Sequence, residues 1–169
     1  MAAGATYEPI ATTTLGSASN SVSFSSISGS YTDLILVAYI TGVSVATDPW
    51  IRVGNGSVDT GTNYNWVWLS GNGGSASSES SINSSKLYYS SISTIQNQYQ
   101  VVTFHFMNYS NTTTNKNVLI READANTESG LTIGLWRSNS AINVIEISLD
   151  SSRTYSAGSM FTLYGVTAA

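Results

Sequence analysis

The sequence predicts an all-β protein: a single-domain antiparallel β-sandwich, jelly-roll-like, built from about ten short strands. Three observations point there. Short segments rich in β-branched and aromatic residues recur, with turn signals roughly every 8 to 12 residues. Several alternate polar and apolar with period two, as in Ser21-Val22-Ser23-Phe24 and Ile145-Glu146-Ile147-Ser148-Leu149. No strand–helix alternation, heptad or repeat of solenoid period accompanies them.

Taken in order, Tyr7 to Leu15 alternates weakly, and Glu8-Pro9 confines it to an edge because proline donates nothing to a ladder. Residues 1–15 are therefore expected as an extended N-terminal arm or first strand, and residues 16–169 as the sandwich. Ser21 to Ile27 is a half-buried strand, turned by Gly29-Ser30 into the longest apolar run, Leu34 to Ile40. That run is far shorter than the roughly 20 residues of a membrane span. Apolar on both faces, it is expected as a central strand covered by its own domain and by that domain or a neighbour on the other side. Asp48-Pro49 opens a turn before Trp50 to Val53, and Asp59 to Asn63 is a loop. Tyr64 to Leu69 is a strand that sets Tyr64, Trp66 and Trp68 on one face and Val67 and Leu69 on the other. The Ser- and Gly-rich stretch 70–81 is expected as a mobile loop. Lys86 to Ile95, with Leu87, Tyr88, Tyr89, Ile92 and Ile95, is expected to end that loop in a strand, with a short helix near Ile92 as the alternative. Tyr99 to Tyr109, Asn117 to Ala123, Leu131 to Trp136, Ala141 to Leu149 and Ser159 to Val166 complete the set.

At 169 residues one domain can bury a core without staples. Only 9% of residues are charged, against a usual share of about 25%, while 41% are hydrophobic. The combination describes a folded domain with a neutral hydroxyl- and amide-rich surface, not a disordered chain. Such a surface lacks the usual guard against association and suits a subunit packed into an assembly. The net charge is −4, and the basic residues Arg52, Lys86, Lys116, Arg121, Arg137 and Arg153 are scattered. That pattern argues against nucleic-acid binding. No cysteine is present, which excludes a disulfide framework. The first six residues lack a signal-peptide pattern. The Asn-X-Ser/Thr triplets at Asn55, Asn83, Asn108 and Asn111 are what an Asn-, Ser- and Thr-rich composition produces by chance.

Candidates for chemistry are few. His105, the one histidine, alternates with Val102, Phe104 and Phe106 and has no partner at metal or triad spacing, so it reads as a hydrogen-bonded structural residue. Asp48 with Asp59, and Glu122 with Asp124, are the acid pairs placed to offer loop oxygens to calcium, but neither has EF-hand spacing. No carboxylate pair stands out for glycosidase work, and the loop glycines do not form a phosphate loop. The expectation is no catalytic residue, no metal and no cofactor. Tyr64, Trp66 and Trp68 are either a stacking platform for a sugar ring or a core or subunit face.

Several pieces of the chain resemble a family of small β-rich virion proteins in tailed phages of aquatic bacteria, cyanophages among them. These are Thr14-Leu15-Gly16-Ser17, Tyr31-Thr32-Asp33-Leu34, Trp136-Arg137-Ser138 and the closing Gly158-Ser159-Met160-Phe161-Thr162-Leu163-Tyr164-Gly165. The likeness runs from about Glu8 to Val166, and the closing segment is its most specific part. It implies a β-sandwich, a homotrimer and a place on the virion surface, with no catalytic residues to carry over. Decoration or cement protein, bound to the major capsid protein, is the expected role, since no attachment segment is expected before the first strand at Tyr7. Tyr7, Ile10 and Leu15 then mark an arm that contacts a partner. The alternative is a tail-fibre or receptor-binding tip that contacts tail proteins and host surface glycan.

Overall fold

The computed structural model describes residues 6–44, 47–89, 99–124, 128–150 and 152–167. All secondary structure among them is strand: β1 Tyr7–Thr14, β2 Ser21–Phe24, β3 Asp33–Ile40, β4 Trp50–Asn55, β5 Ser57–Val58, β6 Tyr64–Gly71 and β7 Ala76–Ser84. β8 Leu87–Tyr88, β9 Gln100–Phe106, β10 Lys116–Asp124, β11 Glu128–Trp136, β12 Val144–Ser148 and β13 Met160–Val166 follow. They form two antiparallel sheets, consistent with the predicted sandwich. The larger runs β1-β13-β3-β9-β10-β11-β6-β7; the smaller runs β2-β12-β4-β5, with β8 also paired to β4. No described helix is long and apolar enough to cross a membrane.

One core fills the space between the sheets. Leu34, Leu36, Phe104, Phe106 and Ile120 enter from the larger sheet, and Ile51, Val53, Ile145 and Ile147 from the smaller. Fully burying an aliphatic or phenyl side chain contributes about 1.5–3 kcal/mol, so this interlayer dominates the favourable side of folding. The run 34–40 lies inside the larger sheet, as expected, yet its two faces are unequal. Leu34, Leu36, Ala38 and Ile40 are buried, Ile35 and Val37 are half-buried, and Tyr39 is exposed. Among the described residues the second apolar face is only partly covered, with Tyr39 stacked on Tyr99 at 5.9 Å.

Two expectations change. The stretch 70–81 is not one loop: only Asn72 to Ser75 turns, and β7 follows. The Asn72 side-chain oxygen accepts the backbone N–H groups of Gly74 (3.0 Å) and Ser75 (2.8 Å), and Gly73 adopts φ +83°. That turn delivers serine-rich chain to the open edge of β6, where backbone groups need partners whatever the side chains are. From the 86–95 segment, only Leu87–Tyr88 is a described strand; Ile92 and Ile95 lie outside the described residues.

The motif residues are neighbours in space. β13 lies between β1 and β3, so the 158–165 segment is laddered to residues 7–14 on one side and 33–39 on the other. Leu15 N–H donates to Ser159 O (2.9 Å), and Gly158 N–H to Leu15 O (2.7 Å). Gly158 sits at φ +86°, the left-handed region glycine enters freely. Tyr31 lays its ring against Gly165, so closely that a Cβ there would come within 2.3 Å of a ring carbon. Residues 1–5 of the expected arm lie outside the described residues, while Tyr7–Thr14 is a strand of the chain's own sheet.

Gly165→Ala must displace the Tyr31 ring, and is expected to lose about 1–3 kcal/mol in urea unfolding. In a Tyr31→Ala background the same change is expected to cost clearly less.

Candidate functional site

β6 carries two different faces. Tyr64, Trp66 and Trp68 point inward and Val67 and Leu69 outward, following the strand's period of two. The three aromatics share a face but not a role. Tyr64 is fully buried, and its hydroxyl accepts Val53 N–H at 3.2 Å. Its single proton is offered to Val53 O (3.0 Å) or Asp59 O (2.9 Å). Burial pushes that hydroxyl's pKa well up, so it stays a donor. Trp66 is 8% exposed, and Trp68 is half-buried.

β7 is exposed along almost its whole length, so the β6–β7 hairpin is left uncovered by the smaller sheet. Under it lies a hollow of about 280 Å³, lined by Asp48, Trp66, Trp68, Glu79 and Tyr88. Register explains the set. Glu79 faces Trp68 across the β6–β7 ladder. β8 pairs Tyr88 with Trp50 of β4, and Asp48 stands two residues before Trp50. The Trp66 and Tyr88 rings meet edge to face, 5.8 Å apart at 77°. The Trp66 indole N–H is buried without a hydrogen-bond partner.

Beside the hollow stands a cation shelf. Lys86 Nζ is 4.7 Å from the Tyr88 ring centre and 5.2 Å from that of Trp50, and it donates to Asp150 Oδ1 at 2.5 Å. Burial draws this amine's pKa down, but hydrogen bonds with Asp150 and Tyr88 outweigh it and leave it raised. The Arg52 guanidinium lies 4.5 Å from the Trp50 ring centre.

The other candidates fall elsewhere. His105 Nε2 lies 2.9 Å from Asp33 Oδ2, while Asp33 Oδ1 accepts Asn108 N–H at 2.7 Å. The pair fastens the start of β3 to the end of β9. Tyr7 is exposed at 57%, whereas Ile10 and Leu15 pack against the core, so the three arm residues are divided. Asp48 lines the aromatic hollow, whereas Asp59 is engaged by donors. Asp59 Oδ2 accepts from Trp136 Nε1 (2.8 Å) and Asn63 Nδ2 (2.9 Å), and Oδ1 from Gly61 N–H (2.8 Å). Glu122 and Asp124 are buried on the inner face of β10 rather than set in a loop. Among the described residues no three of His, Cys, Asp and Glu gather where they could hold a metal ion.

The sequence reading placed Trp66 and Trp68 but missed Tyr88, Glu79 and Asp48 as their companions. A signal was present for one: Glu79 is the only charge in the serine-rich stretch 70–81.

The outward face of β6 and β11 is apolar, whereas Ser80 and Ser78 of β7 stand opposite Val67 and Leu69. Val67, Leu69 and Ile133 are exposed at 46%, 55% and 49%, with Leu131 and Leu135 half-buried beside them. Cross-strand register joins Ile35, His105, Leu119, Ile133 and Val67 into one row, and Val37, Thr103, Arg121, Leu131 and Leu69 into the next.

Burial alone would raise the Asp59 pKa, but the donors from Trp136, Asn63 and Gly61 and the charge of Arg52 hold it below the usual range. The folded value is thus lower than the unfolded value of about 3.9. This stabilisation is present above the unfolded value and is lost as pH falls through the folded one. The urea midpoint is therefore expected to drop below about pH 4, and less steeply in Asp59→Asn, as checked by unfolding across pH. No family model matches the chain, and no curated protein does.

Proposed function

We propose that this protein is a structural, non-enzymatic component of a phage virion surface: a capsid decoration or cement protein that assembles as a trimer against the major capsid protein. The observation that carries the reading is the outward face of the eight-stranded sheet. On β6, β10 and β11 its outward residues include Val67, Leu69, Leu119, Leu131, Ile133 and Leu135, with Arg121 as the only charge. A sheet that faces water on one side normally alternates apolar-in with polar-out. Here the outward side has the composition of a surface that meets protein. The occupant proposed is another copy of this chain. Across β6, β10 and β11 this face has one cation and no carboxylate, and Asp33 of β3 is paired with His105, so the face meets its like with little charge repulsion; a head-to-tail contact closes into a ring when the rotation allows.

The free edge of β7 supports the same reading. It has nine residues, no proline and one charge, and its register shift is confined to the Ser81–Ser84 end, whereas β1 carries Pro9 and a register shift between Pro9 and Ala11 near its start. Strand pairing between copies is therefore assigned to β7 in preference to the N-terminal segment. Trimers on a shell lattice would bridge capsid subunits and add buried area against internal pressure. The resemblance carried by the 158–165 segment and its neighbours supplies the virion context.

The aromatic hollow favours a second reading, a tail-fibre or receptor-binding tip that takes host surface glycan. Copy number separates the two. Quantitative mass spectrometry of purified virions is expected to give a simple ratio to the major shell protein; a few copies per particle would overturn decoration. Leu69→Asp with Ile133→Asp is expected to convert the trimer to folded monomer by light scattering. Persistence of the trimer would reject this face as the interface.

A further inference from the structure

We infer that the hollow between the β6–β7 hairpin and β8 is a binding site for one neutral pyranose unit. The inference deepens the glycan-binding reading by naming the sugar class, and it rests on that reading.

The hollow combines what such a ring requires. Trp68 is half-buried and offers an apolar plane at the mouth, with the Tyr88 ring beside it. The C–H face of a pyranose covers such planes, while its hydroxyls stay on the ring's rim. Asp48 and Glu79, both exposed, supply acceptors for those hydroxyls. The Trp66 N–H has spent no hydrogen bond inside the protein, and lies in a residue that is more than nine-tenths buried. A buried donor without a partner is costly, and this one belongs to a ring that lines the hollow. The volume of about 280 Å³ lies just under the roughly 300–1,000 Å³ of drug-sized pockets, which suits one sugar rather than a chain.

Charge selects the class. The two carboxylates disfavour uronic, sialic and other anionic sugars. Lys86, paired with Asp150, already holds its amine over the Tyr88 ring, so an organic cation meets competition for that ring. A neutral ring with hydroxyls avoids both the carboxylate repulsion and that competition. The site faces away from the aliphatic outer face of β6 and β11, because inward and outward side chains alternate along β6. Sugar binding and trimer formation are therefore separable by mutation.

The test is ligand-observed NMR titration of the intact protein with methyl glucoside, methyl galactoside, methyl glucuronide and tetramethylammonium. Wild type is expected to bind at least one neutral glycoside, and about 10-fold more tightly than the glucuronide. Trp68→Ala is expected to weaken that binding by about 10-fold, with recovery in Trp68→Phe. Circular dichroism melts and light scattering check that the fold and assembly persist. Asp48→Asn with Glu79→Gln is expected to narrow the gap between neutral and anionic sugars. Glucuronide binding alone, dependent on Trp68, would overturn the sugar class while leaving a glycan site in place. Tetramethylammonium binding alone would overturn both in favour of a cation site. Absence of binding to any probe at tens of millimolar would overturn the inference and the glycan reading together.

Discussion

The architecture depends on one hydroxyl. Tyr64 belongs to the larger sheet, yet its oxygen is hydrogen-bonded to the backbone of Val53 in the smaller one. Apolar contacts hold two layers together without fixing their sideways position, whereas a buried hydrogen bond to a named backbone group fixes it. The same hydroxyl reaches the carbonyl of Asp59, whose carboxylate gathers Trp136, Asn63 and Gly61. The turn between β5 and β6, the end of β11 and the facing sheet thus share one polar knot. Its consequence reaches the hollow. With Tyr64 fastened at one end of β6, the strand's alternation sets where Trp66 and Trp68 emerge at the other.

β6–β7 is the part of the molecule with two chemistries. The inward face of β6 begins in the core with Tyr64 and Trp66 and ends at Trp68, which packs against that core beside Tyr88. Its outward face is aliphatic at Val67 and Leu69, with Ser80 and Ser78 opposite them on β7. The proposed subunit contact and the proposed ligand contact therefore use opposite faces of one strand.

Much of the fold was legible because side-chain period and turn residues are local. β3, β6, β9, β12 and β13 were all readable from alternation or apolar runs. β7 was not, because its serines carry no apolar period; the ladder with β6 is a backbone property that the sequence does not advertise. Lys116 read as one of six scattered cations but is buried, its amine donating to Thr114 O and Asn139 O and its pKa lowered by burial. The aromatic face of β6 was correctly placed in phase, but no local rule says where along a strand the opposite sheet ends. That boundary separates core Tyr64 from open Trp68. Tyr88, Glu79 and Asp48 reach the hollow from separate strands and turns, so their meeting is set by tertiary register alone.

The position of β13 between β1 and β3 sets a timetable. Thr12 and Thr162 share a hydrogen bond across 150 residues of sequence, and among the described residues β13 is the strand partner of β1. As the chain leaves the ribosome, its first strand must wait for its last before either edge is closed. Until then β1 and the near edge of β3 present bare ladders. The order of synthesis and the order of assembly are opposed, and loop closure over such separations slows folding. Chains of this protein translated close together would therefore pass through an interval in which strand edges of different chains meet. Premature pairing between nascent copies, rather than loss of the finished fold, is the hazard that this connectivity imposes.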